Sequence, residues 1–532
     1  MGAASLLGEV LLGPAPLTGG RVAAYALAGG AVAVVSRSLL AVLVPASAAR
    51  VGALGALAAF GSLHSLYYVN VRLLPSEHYL SFRSLAADAF VVAPLLGAAF
   101  YLARASWAQE RRERWGLALA TFGVASFAVA TATAVLAVPR RADRPVTHGE
   151  GPDLLLVVLD SLRADRAAAG SAVTPEISAL ARRGRVYTSA WAASSWTLPS
   201  VTEILTAAPG ESPTLVQRLA ARGYRTACFT DNPHLAMGTG VLRGFDRVER
   251  SVGAWRDLLR GTSLGEVLER LAPGNDTLLA AKAVTWMQAQ PGPFFLYVHL
   301  MDSHTPYRFP PLDGRPRPGR RIEFPRTGMR LTAEEAESIR AHYDGGVHSA
   351  DAQVGRILDA AARGRPFLAV LTADHGESLG EDGRWFHGGS LAPELLAVPL
   401  VIVGTGVAPA TVSPPVGHAA IAPTLLAAAT EPGATNAGPD LRREVGAGVV
   451  EGSLPPRLAY RLNGRYKLLL DLESGRRSLY DRWADPAERQ DIATRAPQLA
   501  EILALGLTAD PPWHEPSPED VERLRSLGYA GF

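Results

Sequence analysis

The chain has 532 residues, more than one ordinary domain holds, and 48% of them are hydrophobic. That share is high for a wholly soluble protein, so we expect a membrane part. The 52 Lys and Arg against 50 Asp and Glu leave a formal charge of +2, and no basic surplus indicates nucleic acid as a partner. The single cysteine, Cys228, excludes a disulfide framework within the chain.

The first 138 residues contain four apolar segments, each close to the ~20 residues that a membrane-spanning helix needs. We therefore predict a transmembrane region of about four helices over residues 1–138, with the lipid bilayer as its partner. Because Arg37 interrupts the first segment, three spans remain an alternative. The four segments cover residues 22–44, 51–73, 85–102 and 115–138.

The arginine-rich loops predict how these helices are oriented, since cytoplasmic loops near span ends are rich in Lys and Arg. The segment ARASWAQERRERW lies between the third and fourth spans and is expected in the cytoplasm. The segment PRRADRP after the fourth span argues in the opposite direction. We predict an integral protein of the plasma or inner membrane, a solvated linker over residues 139–152 and an extracytoplasmic catalytic part.

The remainder of the chain alternates continuous apolar runs with helix-like stretches. The runs LLLVV, PFFLYVHL, PFLAVLTAD and VPLVIVG are typical of strands that are buried on both faces. They predict an α/β fold with a mainly parallel sheet flanked by helices. We expect a catalytic domain over residues 153–490 and a helical tail over residues 491–532.

Acid and imidazole groups follow three of these runs, at the sheet edge where reactive residues of such folds collect. For one of them, Asp160, capping of the following segment is an equally good interpretation. An Asp-His pair followed by Gly offers oxygen and imidazole donors from one tight turn, which suit Mg, Mn or Zn. The groups are Asp160, the pair Asp374 and His375, and His299, Asp302 and His304 in YVHLMDSHTPY.

Thr197, in SSWTLPSVTEILTA, is predicted to lie where a turn enters a helix. Taken alone, it is more simply a helix N-cap. A hydroxyl at a helix N-terminus is also well placed to attack an anionic ester, because the free N–H groups and the helix dipole favour negative charge. A metal bound to the same hydroxyl would lower its pKa and activate it.

Seven segments, in this order, resemble the sulfatase family of the alkaline-phosphatase superfamily from about residue 153 to the C-terminus. The resemblance implies the family's fold and an activity on sulfate or phosphate esters. The segments are LDSLRADR, TLPS, GYRTACFTDNPHL, DSHTPY, TADHGESLGE, FHGGSLAPELLAVPLV and RYKLLLDLESGRRSLYDRWADPAERQDIA.

The resemblance also implies roles for individual residues and one divalent ion, with Mn, Mg, Ca and Zn all acceptable. It implies that His304 lies beside the leaving oxygen or the transferred anion, and that His387 contacts the anion. The alternative for His387 is a loop histidine exposed to water. The implied metal contacts are Asp160, Asp374, His375 and Thr197, of which Thr197 is also the nucleophile.

The sequence departs from classical sulfatases at the nucleophile. Those enzymes convert Cys or Ser to formylglycine within C/S-x-P-x-R, whereas Thr197 and Val201 occupy the first and last positions here. Threonine cannot form that aldehyde, so no formylglycine is expected. A threonine nucleophile resembles the phosphoryl-transferring branch, which includes lipoteichoic acid synthases and phosphoethanolamine transferases.

Three functions remain open at this point. The first is a metal-dependent hydrolase that acts through a covalent threonine intermediate on an anionic ester, with lipids and glycans among the candidate substrates, at the outer membrane-facing surface. The second is a phosphoryl-group transferase that modifies a lipid or a cell-envelope glycan. The third is a catalytically silent membrane scaffold, against which the joint presence of all six implied site residues argues.

Overall fold

A computed structural model describes residues 151–206, 213–232, 234–235, 240–251, 275–314, 331–429, 439–443 and 448–508. The predicted membrane spans lie outside these residues, as do residues 139–150 of the predicted linker and most of the predicted tail. Within the described ranges, no helix is both long enough and apolar enough to cross a membrane.

The described residues form strands and helices that alternate along most of the chain. The strands are β1 (Asp153–Leu159), β2 (Arg185–Trp191), β3 (Arg225–Thr230), β4 (Arg247–Glu249), β5 (Phe294–Leu300), β6 (Phe367–Ala373), β7 (Ser378–Leu379), β8 (Trp385–Phe386), β9 (Ala397–Gly404), β10 (Ala410–Val412), β11 (Val416–Gly417), β12 (Val450–Leu454), β13 (Leu458–Asn463), β14 (Tyr466–Asp471) and β15 (Arg477–Asp481). The helices are α1 (Pro175–Arg183), α2 (Thr197–Thr206), α3 (Leu215–Ala221), α4 (Asp276–Gln288), α5 (Ala333–Ala362), α6 (Pro393–Leu396), α7 (Ile421–Ala428) and α8 (Pro497–Ala504). Short 3-10 helices cover Ala164–Ala167, Glu381–Gly383 and His418–Ala420.

The main sheet has the order β10-β2-β9-β6-β1-β5-β3-β4, with β11 also paired to β2. Its central strands β6, β1, β5 and β3 run parallel. Every residue of β1 and β5 is buried, which explains their uninterrupted apolar sequences. Two groups of helices cover the sheet, one formed by α1, α4 and α5 and the other by α2, α3 and α7. The predicted α/β fold with a mainly parallel sheet is confirmed.

The run VPLVIVG is one of the predicted strands and belongs to the antiparallel minority of this sheet. The run forms β9, which pairs antiparallel with both β6 and β2. The connection from β6 to β9 contains the β7-β8 pair, the short 3-10 helix Glu381–Gly383 and the four-residue α6. No long crossover helix carries the chain back across the sheet, so the strand returns in the opposite direction.

A second, antiparallel sheet with the order β12-β13-β14-β15 follows, and we call it the C-terminal sheet. Its last two strands form a hairpin over the segment RYKLLLDLESGRRSLYD. Helix α8 packs against this hairpin through buried Ala500 and Leu503. The C-terminal sheet therefore has a small core of its own, separate from the core of the main sheet.

The half-buried carboxyl group of Glu203, on α2, makes the stability of the fold depend on pH. It accepts a hydrogen bond of 3.1 Å from the Ala419 amide, and burial raises its pKa from 4.5 to about 7. A raised pKa in the folded state adds stability below 4.5, and this stability is lost as the pH rises through about 7.

We expect Glu203→Gln to raise the midpoint of thermal unfolding by about 1 to 3 °C at pH 8 and to leave it unchanged at pH 4.5. The glutamine can still accept the Ala419 hydrogen bond, but it carries no charge to desolvate. Calorimetry at both pH values measures the difference, with the exposed Glu501→Gln as the control. An equal effect of both substitutions at both pH values would contradict the assignment.

Candidate active site

Asp160 and Asp374 lie side by side because they follow adjacent parallel strands. The register pairs Leu159 with Ala373, so the next residue of each strand leaves the sheet at the same point. Both carboxyl groups are fully buried. Asp374 Oδ1 accepts hydrogen bonds from the backbone N–H groups of Ser161, at 3.2 Å, and His375, at 2.9 Å. These bonds fix the orientation of the Asp374 carboxylate.

His375 completes a group whose geometry fits a divalent cation. Its Nδ1 lies 2.8 Å from the Gly376 carbonyl, which places the proton there and leaves a lone pair on Nε2. That atom lies 3.5 Å from Asp374 Oδ2 and 3.7 Å from Asp160 Oδ1. One donor atom from each of the three residues lies within 4.8 Å of the others.

Two of these donor atoms, Asp374 Oδ2 and His375 Nε2, are buried and make no hydrogen bond. Leaving such groups unsatisfied is costly, whereas a cation would satisfy both at once. The bond from His375 Nδ1 to a backbone carbonyl is the support that metal-binding histidines commonly have. The residues Asp160, Asp374 and His375 therefore fit a divalent metal ion.

The charges of the site are strongly coupled. Burial, together with the neighbouring Asp160 carboxylate, raises the pKa of Asp374 well above its usual value. Burial acts on Asp160 in the same direction, but His304, His299 and His375 outweigh it and hold the pKa of Asp160 well below its usual value. The pKa values of the two carboxyl groups are thus displaced in opposite directions.

Thr197 is the first residue of α2, and its hydroxyl faces the same cluster. Thr197 Oγ1 donates a hydrogen bond of 3.4 Å to Asp160 Oδ2. The preceding turn is closed by Ser200, whose hydroxyl bonds both the amide and the carbonyl of Ser194. A nucleophile candidate and the acid cluster, 37 residues apart in sequence, are thereby brought into contact.

Asn232 belongs to the site, although the sequence analysis did not identify it. Its Nδ2 donates to Asp160 Oδ2 at 2.7 Å and to Thr197 Oγ1 at 3.3 Å. Asn232 follows β3 by two residues, so the rule that reactive groups gather beyond the ends of parallel strands would have found it. Its amide orients the hydroxyl and one carboxylate together.

His299 is a second residue whose place in the site the sequence did not specify. It lies within β5, and its Nε2 is 3.0 Å from Asp160 Oδ2. Its Nδ1 is 2.7 Å from the hydroxyl of Tyr297, two residues earlier on the same face of the strand. Asp302, from the same segment, points elsewhere and accepts a hydrogen bond of 2.6 Å from Ser349 on α5.

His304 and His387 lie together at the edge of the cluster, with ring centroids 4.9 Å apart. Burial lowers the pKa of His304. Burial also acts to lower the pKa of His387, but the carboxylate of Glu377, 2.9 Å away, outweighs it and raises that pKa. Two neighbouring imidazoles with pKa values displaced in opposite directions can serve as a proton donor and a proton acceptor.

His387 is therefore not the solvent-exposed loop histidine of the alternative interpretation. Glu377 is itself fully buried and also accepts a hydrogen bond of 2.8 Å from Tyr307. Glu377 could not be singled out from the sequence, since its role depends on a pairing with His387 across a loop. The structure thus brings all six predicted site residues to one location, together with Asn232, His299 and Glu377.

Comparison with known proteins identifies relatives at the level of sequence. The family described as Sulfatase matches residues 152–431. The low-salt glycan biosynthesis sulfotransferase Agl7 of Haloferax volcanii is 46% identical over 66 residues, which cover 12% of this chain and 16% of that protein. The choline-sulfatase of Rhizobium meliloti is 28% identical over 180 residues, 31% of this chain and 35% of that protein. The matches thus span well under half of either relative.

Solved structures show the same fold. The phosphonate monoester hydrolase of Agrobacterium radiobacter superposes with a TM-score of 0.52 at 22% identity, over 66% of this chain and 94% of that chain. The phosphonate monoester hydrolase of Silicibacter pomeroyi gives a TM-score of 0.50 at 18% identity, over 66% of this chain and 93% of that chain. At these identities the likeness concerns the fold alone.

We expect the full-length protein to bind one Mn²⁺, and Asp374→Asn to weaken its affinity at least about 100-fold, because a buried anionic donor is lost. The affinity should also fall as the pH is lowered, since the raised pKa of Asp374 lets protons compete with the metal. Isothermal titration calorimetry of the detergent-solubilised chain measures both effects.

Asp302→Asn is the matched control, because Asp302 is also a buried carboxyl beyond a strand end but lies outside the cluster. Its Mn²⁺ affinity should stay within about threefold of the wild type. If Asp374→Asn bound Mn²⁺ as tightly as Asp302→Asn, the cation site would lie elsewhere.

Proposed function

The chain belongs to the sulfatase family, and on that basis we propose that it is a metal-dependent enzyme that cleaves sulfate or phosphate esters through a covalent intermediate on Thr197. One observation carries the proposal: the Thr197 hydroxyl hydrogen-bonds Asp160 within the cluster that also holds Asp374 and His375. An N-cap with a purely structural role has no need of a buried acid pair beside it.

Asp160, Asp374 and His375 would hold the divalent ion, with Thr197 as a further contact. When bound, the ion lowers the pKa of the Thr197 hydroxyl and offsets the negative charge that builds up on the transferred group. The chain itself contributes the N-terminus of α2, whose N–H groups favour an anion. His387, whose pKa is raised by the carboxylate of Glu377, lies with its ring centroid 4.4 Å from that of His375 and adds positive charge there when it is protonated.

The proposed reaction has two steps. In the first, the deprotonated Thr197 oxygen forms a bond to the sulfur or phosphorus atom as the bond to the alcohol oxygen breaks. His387 gives its proton to the departing alcohol. In the second step, an incoming water or alcohol loses its proton to the same imidazole and forms the new bond. The bond to Thr197 breaks, which regenerates the starting enzyme.

Transfer to a glycan or lipid alcohol is the second candidate, because the same intermediate serves both outcomes. It is favoured by the match to a protein named as a glycan biosynthesis sulfotransferase. The four apolar segments before residue 151 would hold the site at the outer membrane surface, close to lipid or cell-envelope acceptors. A catalytically silent scaffold would not need the buried, unsatisfied donor atoms of Asp374 and His375.

We expect Thr197→Ala to reduce kcat at least about 1,000-fold, because no other group replaces the nucleophile. Thr197→Ser should keep measurable turnover, since it retains a hydroxyl. The matched control is Thr202→Ala, a buried threonine one turn along α2 whose hydroxyl bonds only the Leu198 carbonyl. Steady-state kinetics measures kcat for these variants. A Thr197→Ala protein that keeps a tenth of the wild-type turnover would exclude the covalent mechanism.

A second experiment identifies the transferred group and its acceptor. The solubilised protein is supplied with each metal and with a phosphate monoester, a phosphodiester or a sulfate ester, and the products are separated. We expect free phosphate or sulfate from a hydrolase and a modified glycan or lipid from a transferase. Accurate-mass peptide analysis after acid quenching should find the adduct on Thr197. Turnover with an unmodified Thr197 peptide throughout would argue for direct attack by water.

A further inference from the structure

The turn that precedes Thr197 is held by parts of the chain far away in sequence. The Ala192 carbonyl accepts a hydrogen bond of 2.6 Å from the hydroxyl of Tyr460 on β13. The Ala193 carbonyl accepts one of 2.8 Å from the Ser453 amide on β12. Both donors belong to the C-terminal sheet, so this sheet directly contacts the segment that carries the nucleophile.

The C-terminal sheet approaches the turn before Thr197 so closely that position 452 has no room for a side chain. A Cβ added to Gly452 would lie 2.2 Å from the Ala193 carbonyl oxygen and 2.5 Å from a ring carbon of Tyr460. Glycine is therefore required by the approach of two backbones. Trp191, at the end of β2 just before the turn, is covered by the guanidinium group of Arg482 at 4.1 Å.

His418 connects the same turn to the acid cluster. Its Nδ1 accepts a hydrogen bond of 3.3 Å from the Ala193 amide, and its Nε2 lies 3.0 Å from the Ala373 carbonyl. Ala373 directly precedes Asp374. One buried imidazole thus spans the space between the turn before Thr197 and the strand that ends at Asp374.

The neutral form of His418 suits this arrangement, because one nitrogen must accept and the other must donate. Burial lowers its pKa to about 4, so the ring stays neutral at physiological pH. Tyr460 is fully buried as well. Neither residue contacts the metal-binding atoms themselves, so any effect on the reaction acts through the backbone of residues 192–197 and 373–374.

We propose that Tyr460 and His418 are positioning residues that set the place of the Thr197 hydroxyl relative to Asp374. This inference rests on the proposed function, since it assigns the two residues to that reaction. The C-terminal sheet then contributes to the active site, because its hydrogen bonds determine the position of the Thr197 hydroxyl. A displacement of about 1 Å in such a constellation can cost up to about 100-fold in rate.

The test compares two tyrosines whose hydroxyls each donate a hydrogen bond to a backbone carbonyl. The Tyr187 hydroxyl also accepts a hydrogen bond of 3.3 Å from Arg185 Nε. Tyr460→Phe removes a bond of 2.6 Å to the Ala192 carbonyl, and Tyr187→Phe removes one of 2.6 Å to the Leu441 carbonyl, away from the site. Both side chains are buried, so both variants should lose similar thermal stability. We expect Tyr460→Phe to lower kcat about tenfold with KM within threefold, and Tyr187→Phe to leave both constants within twofold.

Variants of His418 test separately its hydrogen bond to the Ala193 amide and its contact with the Ala373 carbonyl. In His418→Asn the amide oxygen can take the place of Nδ1 and keep the bond to Ala193, whereas in His418→Gln the longer side chain can reach Ala373. Each should retain more turnover than His418→Ala. The matched control is His348→Ala, which removes a histidine whose Nδ1 lies 3.0 Å from the Val173 carbonyl, away from the site.

Mn²⁺ affinity gives a result that does not depend on turnover. Because Thr197 and Asp374 both contact the ion in the proposed site, His418→Ala should bind Mn²⁺ at least about fivefold more weakly than His348→Ala. If the wild type turned over no ester, the proposed function would fail, and this affinity ratio would still decide the placement of His418. Equal kcat values for the two Phe variants, or equal Mn²⁺ affinities for the two Ala variants, would overturn the inference.

Discussion

The architecture of this site follows from one electrostatic constraint: two carboxylates are buried next to each other at the ends of adjacent parallel strands. The register of β1 and β6 forces Asp160 and Asp374 together whatever the rest of the chain does. With donor atoms that lie within 4.8 Å of each other, two such charges repel by at least about 3 kcal/mol at an effective dielectric constant of 20. Positive charge or protons must therefore be present whenever the chain is folded.

The groups around the two carboxylates meet this need for positive charge or protons only in part. Asn232, His299 and the backbone amides of Ser161 and His375 direct hydrogen-bond donors at the two carboxylates. They still leave Asp374 Oδ2 and His375 Nε2 without a hydrogen bond. Hydrogen-bond donors from the chain would have closed this gap if the site had only a structural role. The arrangement therefore fits a divalent cation, and the Thr197 hydroxyl lies beside it, hydrogen-bonded to Asp160.

Site residues whose position follows from the adjacent strand could be predicted from the sequence, whereas residues whose partners lie far away along the chain could not. Asp160, Asp374 and His375 follow buried strands immediately, so the strand-end rule located them. The sequence did not assign a direction to β9, because a strand buried on both faces looks alike in either direction. Asp302 was a candidate by the same rule, but its side chain turns towards Ser349. His418 and Tyr460 had no local signal, since their partners lie 225 and 268 residues away.

Because residue 197 is a threonine, the direction of its hydroxyl depends strongly on the backbone that the C-terminal sheet holds in place. A β-branched side chain has few allowed χ1 values, so the direction of its hydroxyl follows the backbone on which it stands. A serine could compensate for a small shift of the turn by rotating about χ1, whereas Thr197 has less freedom to do so. In the proposed reaction, the position of residues 192–196 therefore determines the position of the Thr197 hydroxyl. Bonds from Tyr460, Ser453 and His418 fix that backbone where the cation ligands require it.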